Sequence, residues 1–152
     1  MSDGDPGAAA RAVIDSNRYM TLGTADEDGR PWVSPVWFAH SGYREFFWVS
    51  SPDARHSRNL AARPDLAIVI FDSQVPEFGA EAVYISASAE QLADDALERG
   101  IEVFARKSEA DGLPPWSRAD VEGSAKHRLY RAVASEHYSL NQHDERVPVD
   151  PT

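Results

Sequence analysis

A chain of 152 residues with 42% hydrophobic and 26% charged residues has the makeup of one globular domain with a single real core. A formal net charge of −10 argues against a nucleic-acid partner, whose phosphates it would repel, and the lack of cysteine removes disulfides, thiolate nucleophiles and cysteine-type zinc sites. No apolar run approaches the ~20 residues of a membrane span, and Met1-Ser-Asp-Gly-Asp5 lacks the apolar stretch of a signal peptide, so a cytoplasmic setting without a membrane partner is expected.

Residues 1–6 are polar with Gly and Pro and read as a flexible tail. Good helix formers from Ala8 to Ile14 predict a short helix ending near Asn17. Tyr19–Ala25 reads as a strand in which Gly23 permits close backbone approach. Asp26-Glu-Asp-Gly29 is a hairpin turn, Trp32–Ala39 a second strand, Ser41-Gly42 another tight turn and Tyr43–Ser50 a third strand, so residues 19–50 are expected to form an antiparallel meander. Pro35 cannot donate a ladder hydrogen bond, which makes the second strand an edge or bulged strand. Ser51-Pro52 carries the signature of a helix start, Ser as N-cap and Pro at the first position, and this helix closes before Pro64.

The apolar run Leu66–Phe71 predicts a strand buried on both faces, followed by a loop over Asp72–Phe78. Ala82–Leu92 alternates, with Val83, Ile85, Ala87 and Ala89 on one face and Tyr84, Ser86 and Ser88 on the other. Leu97, Ile101 and Phe104 stand at helical spacing within Asp94–Lys107, and Asp111-Gly-Leu-Pro-Pro115 breaks that helix. Arg128–Leu140 is the last strand, and the tail from Asn141 reads as a surface extension. Six strands joined mainly by short turns, with two or three helices, predict a mainly β (α+β) domain: a six-stranded antiparallel barrel with flanking helices. Residues 1–152 are expected to form one domain whose ends, 1–6 and 141–152, are extended or flexible tails.

The familiar catalytic motifs are missing: no Gly-x-Ser-x-Gly, no His-Glu-x-x-His, no dinucleotide-binding glycine fingerprint and no phosphate-binding lysine loop. His40, His56, His127, His137 and His143 have no metal-ligand spacing, so no metal is expected. Two features stand out. Trp32, Trp37, Phe38, Phe46, Phe47 and Trp48 crowd two adjacent strands, as core, as dimer packing or as the wall of a pocket for a flat ring. Arg55, His56 and Arg58 gather at a helix start, where unpaired backbone N–H groups and cations suit a phosphate, although a solvated helix face would look alike.

Taken together, Ser34-Pro-Val-Trp-Phe38, Phe47-Trp-Val-Ser-Ser51, Ala54-Arg-His-Ser-Arg-Asn-Leu60 and the Ala67-Ile-Val-Ile-Phe71 strand after Pro64 resemble the split β-barrel flavin-binding family related to pyridoxamine 5′-phosphate oxidase. The resemblance runs on through Ala82–Leu92 and Arg128-Leu-Tyr-Arg131. It implies a homodimer that binds FMN between its subunits and acts as an oxidoreductase on a small molecule. Ser34, Pro35, Val36 and Trp37 would lie along the flavin ring, Val49 and Ser50 near the ring edge and ribityl chain, and Arg55 and His56 at the phosphate.

Departures from the family pattern sharpen that expectation. His56 replaces the usual Lys, so phosphate binding would depend on pH. Ser34 stands where the oxidase has an Arg, Ala82 where it has a Gln, and only Arg128 and Arg131 offer spare cations near the C-terminus. Efficient oxidation of vitamin B6 is therefore not expected. A reductase using the deazaflavin coenzyme F-420 and a non-enzymatic flavin-binding protein are the alternatives, the missing Lys favouring FMN. No side chain stands out as a catalytic acid or base.

Overall fold

The computed structural model describes residues 5–76, 81–141 and 143–152. In chain order the elements are α1 (Pro6–Ser16), β1 (Tyr19–Ala25), β2 (Pro31–Trp37), β3 (Ala39–Ser41), β4 (Glu45–Ser50), α2 (Arg55–Ala62), β5 (Asp65–Phe71), β6 (Ala82–Gln91), α3 (Asp94–Ala110), β7 (Arg128–Leu140) and β8 (Arg146–Val149). The strands form one antiparallel sheet in the order β2-β1-β5-β6-β7-β4-β3, with β8 also on β7. It curls into a split half-barrel flanked by the three helices, the mainly β architecture expected, with eight strands in place of six. No helix among the described residues is long and apolar enough to cross a membrane.

The expected meander is divided. β2 folds back on β1 through a turn in which Gly29 takes a φ of +84°. At Phe38 the chain then leaves its neighbours: the Phe38 N–H donates to the Arg18 carbonyl, its ring is buried, and β3 and β4 cross to the far side of the sheet beside β7. β2 and β4 consequently touch without pairing, and the gap between them is the split of the barrel. β2 pairs only with β1, in unbroken register, so Pro35 sits on an edge strand with no bulge.

Three other expectations change. Ser51-Pro52 begins a turn, closed by Ala54 N–H to Ser51 carbonyl at 3.1 Å and Asp53 N–H to Ser51 Oγ at 3.1 Å, and α2 starts only at Arg55. β5 is buried on one face only: Leu66, Ile68 and Ile70 point inward while Ala67 and Phe71 are exposed. The tail after Asn141 is no loose extension, because β8 pairs with β7 and Pro151 accepts from Arg11 on α1. Residues 1–4 of the N-terminal tail, and the part of the 72–78 loop from 77 onward, lie outside the described residues.

Two apolar cores result. The larger fills the barrel with α1 and the inward residues of the strands, including Val36, Phe38, Phe46 and Trp48. The smaller joins α3 to β3, β4 and β7 through Phe47, Leu97, Phe104 and Leu129. Gly100 allows this close approach, since a Cβ there would lie 2.7 Å from Leu92 Cδ1.

Candidate functional site

The site forms where β4 hands the chain to α2. Starting the helix at Arg55 places Arg55, His56 and Ser57 in its first turn, whose N–H groups have no intrahelical partner; the regular ladder begins with Arg58 N–H to Ala54 carbonyl at 3.0 Å. Arg55 is exposed and its guanidinium stacks 4.3 Å from the centre of the Trp32 ring on β2. His56 turns the other way: it is buried, and its Nε2 lies 2.8 Å from Ser50 Oγ at the end of β4. Burial pushes the His56 imidazole below its ordinary value of 6.5, so the ring is neutral at pH 7. It acts there as a hydrogen-bonding brace between β4 and α2, not as a standing cation.

One residue that the sequence reading left without a role fixes this helix. Asn59 is buried, and its Nδ2 donates to Thr24 Oγ1 at 3.0 Å, tying α2 to β1. The same face of α2 carries Arg58. Arg55, Arg58 and Asn59 line an open cleft of about 460 Å³ whose opposite wall is the acidic β1–β2 turn, Asp26 to Asp28. Asp26 Oδ1 accepts from the N–H groups of Arg30 and Asp28, both at 2.9 Å. These bonds, chiefly the one from Arg30, hold its carboxyl below the usual range, with a further pull from Arg55. The cleft therefore sets two arginines against a carboxylate that stays charged.

The remaining candidates spread along both sides of the split. Ser34 is half-buried and Pro35 exposed on edge strand β2. Val36 points into the barrel core, which leaves only its backbone for a ligand. Trp37 is half-buried and meets Phe104 edge-on, with centroids 5.0 Å apart. Val49, half-buried, packs on the smaller core, and Ser50 is buried against His56. Phe46, Phe47 and Trp48 are fully buried within this single chain, so they are core residues and not the interface rings the aromatic surplus suggested. Trp32 alone of the six crowded aromatics is exposed. Among the described residues no cluster of His, Asp and Glu could hold a metal ion.

Arg128 and Arg131, the spare cations, are both engaged. Arg128 donates to the carbonyls of Gly123, Ala125 and His127, and Arg131 pairs with Glu45 at 3.2 Å and Glu90 at 2.6 Å.

An antiparallel sheet curled into a split half-barrel and flanked by three helices defines the fold class. The chain belongs to the pyridoxamine 5′-phosphate oxidase family, whose model matches residues 7–140. No curated protein matches the chain at a significant level. Among solved structures, it is similar to a heme-binding protein from Mycobacterium smegmatis (19% identity, TM-score 0.75, 99% of this chain and 60% of that one). It is similar also to an FAD-binding protein from Mesorhizobium loti (19%, TM-score 0.63, 91% and 94%) and to an F-420 reductase (17%, TM-score 0.61, 90% and 98%). The chain thus spans about three-fifths of the Mycobacterium smegmatis protein. At these identities the likeness is one of fold.

Proposed function

We propose that the protein is an FMN-binding oxidoreductase of the cytoplasm, acting on a small molecule in the split between β2 and β4. The observation that carries this reading is the first turn of α2. There, Arg55 and Arg58 line one cleft beside a helix start whose first N–H groups lack intrahelical partners, while the Ser50–His56 pair braces the strand beneath. A dianionic phosphate suits those donors, with Arg55 free to exchange the Trp32 ring for a charge-assisted bond. Ser34 to Trp37 would border the ring system, and Val49 and Ser50 its edge and side chain. Bound FMN supplies hydride and electron transfer; the protein's residues hold and orient it.

A homodimer completes the reading. The outer face of the sheet presents a row in strict register, Pro35, Thr21, Val69, Tyr84 and Tyr138, flanked by exposed Tyr19, Val33 and Phe71. A second copy would cover it and bring its own residues toward the β2 edge. Of the five histidines, His40, His56 and His137 are poor candidates for a heme ligand through Nε2, which is already bonded to Asp15, Ser50 and the Tyr43 carbonyl. Vitamin B6 oxidation fits this chain less well, since Arg128 and Arg131 are held elsewhere.

Mass spectrometry of the ligand that copurifies tests the cofactor: FMN is expected, whereas coenzyme F-420 or heme would overturn it. Reduction of the loaded protein by NADH or NADPH and reoxidation by an acceptor separates an enzyme from a flavin carrier, which would hold FMN without turnover. Sedimentation at micromolar concentration should give twice the monomer mass.

A further inference from the structure

The opposite side of α2 holds a second cavity that the cofactor reading does not use. Its volume is about 330 Å³, and it opens between α2, the start of β5 and the end of β6. Leu60, Ala61, Pro64, Ala89 and Tyr130 give it an apolar lining, with Gln91 at the rim. The Glu90 carboxylate, also at the rim, is neutralised by Arg131 at 2.6 Å. The lining also includes Ser57, which is only 4% exposed and whose Oγ has no hydrogen-bond partner. A buried hydroxyl left unpaired is costly, and one that borders a cavity can be satisfied by what the cavity holds.

We infer that this cavity is a binding site for a small, uncharged molecule: one apolar ring carrying a single hydroxyl or carbonyl that pairs with Ser57. Three features set that class. The volume lies at the lower end for small-molecule pockets and suits one ring. The walls are aliphatic and aromatic, so a charged ligand would lose its hydration without gaining a partner. Ser57 can both donate and accept, so an alcohol or a carbonyl satisfies it equally. Arg55, Arg58 and Asn59 face the cofactor cleft while Ser57, Leu60 and Ala61 face this cavity, so the two sites lie back to back on one helix. The inference stands whether or not FMN is the cofactor.

Titration of the full-length, 15N-labelled protein with benzyl alcohol and with toluene tests it. For ligands of this size a Kd of about 1 mM is expected, with amide shifts at Ser57, Ala61, Ala89 and Gln91. Benzyl alcohol should bind roughly fivefold more tightly than toluene, the share of one neutral hydrogen bond. Ser57→Ala should erase that preference while keeping toluene binding. Ala61→Trp, at an exposed helical position, should block both ligands and leave the fold intact by circular dichroism. No shifts at the lining up to about 20 mM, shifts confined to the Arg55 cleft, or wild-type binding by Ala61→Trp would overturn the site. Equal affinity for the two ligands in the wild type would overturn the role of Ser57.

Discussion

α2 and α3 both follow a strand and both pack on the sheet, yet they are built on different principles. α3 has 17 residues, with Asp94 and Asp95 in its first turn and Lys107 in its last, so its side-chain charges oppose its dipole as a stable helix prefers. It buries Leu97, Gly100, Phe104 and Ser108, and the one hydroxyl among them is satisfied by the Phe104 carbonyl at 3.0 Å. α2 has eight residues and no acid in its first turn, and three of its four buried residues, His56, Ser57 and Asn59, are polar. A helix that short has little stability of its own. It is held by Asn59 on Thr24 and His56 on Ser50, and it keeps its N-terminal donors and arginines available. Apolar burial is concentrated in one helix, and polar and cationic side chains in the other.

That contrast can be broken from either side. Leu97→Ala removes a side chain that is 4% exposed in the smaller core and should cost about 2–5 kcal/mol of stability in denaturant unfolding. The ratio of FMN to riboflavin affinity should stay at its wild-type value. Arg55→Ala should do the reverse. Its guanidinium is exposed, so unfolding should barely change, while FMN binding weakens roughly tenfold, the lower end for a charge-assisted bond, and riboflavin binding is untouched. If Arg55→Ala weakens both ligands equally, Arg55 serves the ring through Trp32 and not the phosphate.

Much of the scaffold was legible because local signals agreed. Tyr19–Ala25 and Arg128–Leu140 begin and end where alternation and turn residues place them. The failures are places where a distant contact decides. Val36-Trp-Phe-Ala39 is an unbroken apolar run, and nothing in it marks Phe38 as the point where the sheet divides. Leu66–Phe71 looks buried on both faces because its outward residues are apolar too, on a face that this chain leaves open. Ser51-Pro52 carries a helix-start pattern that equally fits a turn, and the Asp53 N–H satisfies Ser51 in that alternative. In the site, Arg55 and His56 were visible as a basic pair, but their division into one exposed and one buried residue was not. Asn59, three positions after His56, lay on a readable helix face, whereas its partner Thr24 is 35 residues away.

The neutral state of His56 gives a further distinction. Its folded pKa is depressed by burial, so the unfolded chain binds the proton more readily. Stability from this group is complete above its ordinary value of 6.5 and is lost as the pH falls below it toward the folded pKa. Thermal unfolding of the apo-protein between pH 7.5 and 5 should show a falling midpoint, and His56→Gln should flatten part of that fall. An unchanged pH profile in His56→Gln would mean that burial does not shift the imidazole, and a steeper fall in the variant would mean that the ring is protonated in place.

The smallest expected effect concerns the wall that faces the arginines. Asp26 is half-buried at the surface and lines the same cleft as Arg55 and Arg58, and its two backbone hydrogen bonds keep it ionised. An incoming phosphate must share Arg55 with that carboxylate. Asn at this position keeps an oxygen to accept from the N–H groups of Asp28 and Arg30, so the turn should survive while one negative charge is removed. Solvent and salt screen a surface charge strongly, so Asp26→Asn should tighten FMN binding only about two- to threefold at low ionic strength and hardly at all near 0.5 M salt. Riboflavin, which lacks the phosphate, should bind Asp26→Asn and wild type alike. Titration of both ligands at two salt concentrations measures the difference. A gain for riboflavin as large as that for FMN would place the phosphate away from α2, and with it the division of labour between the two helices would fail.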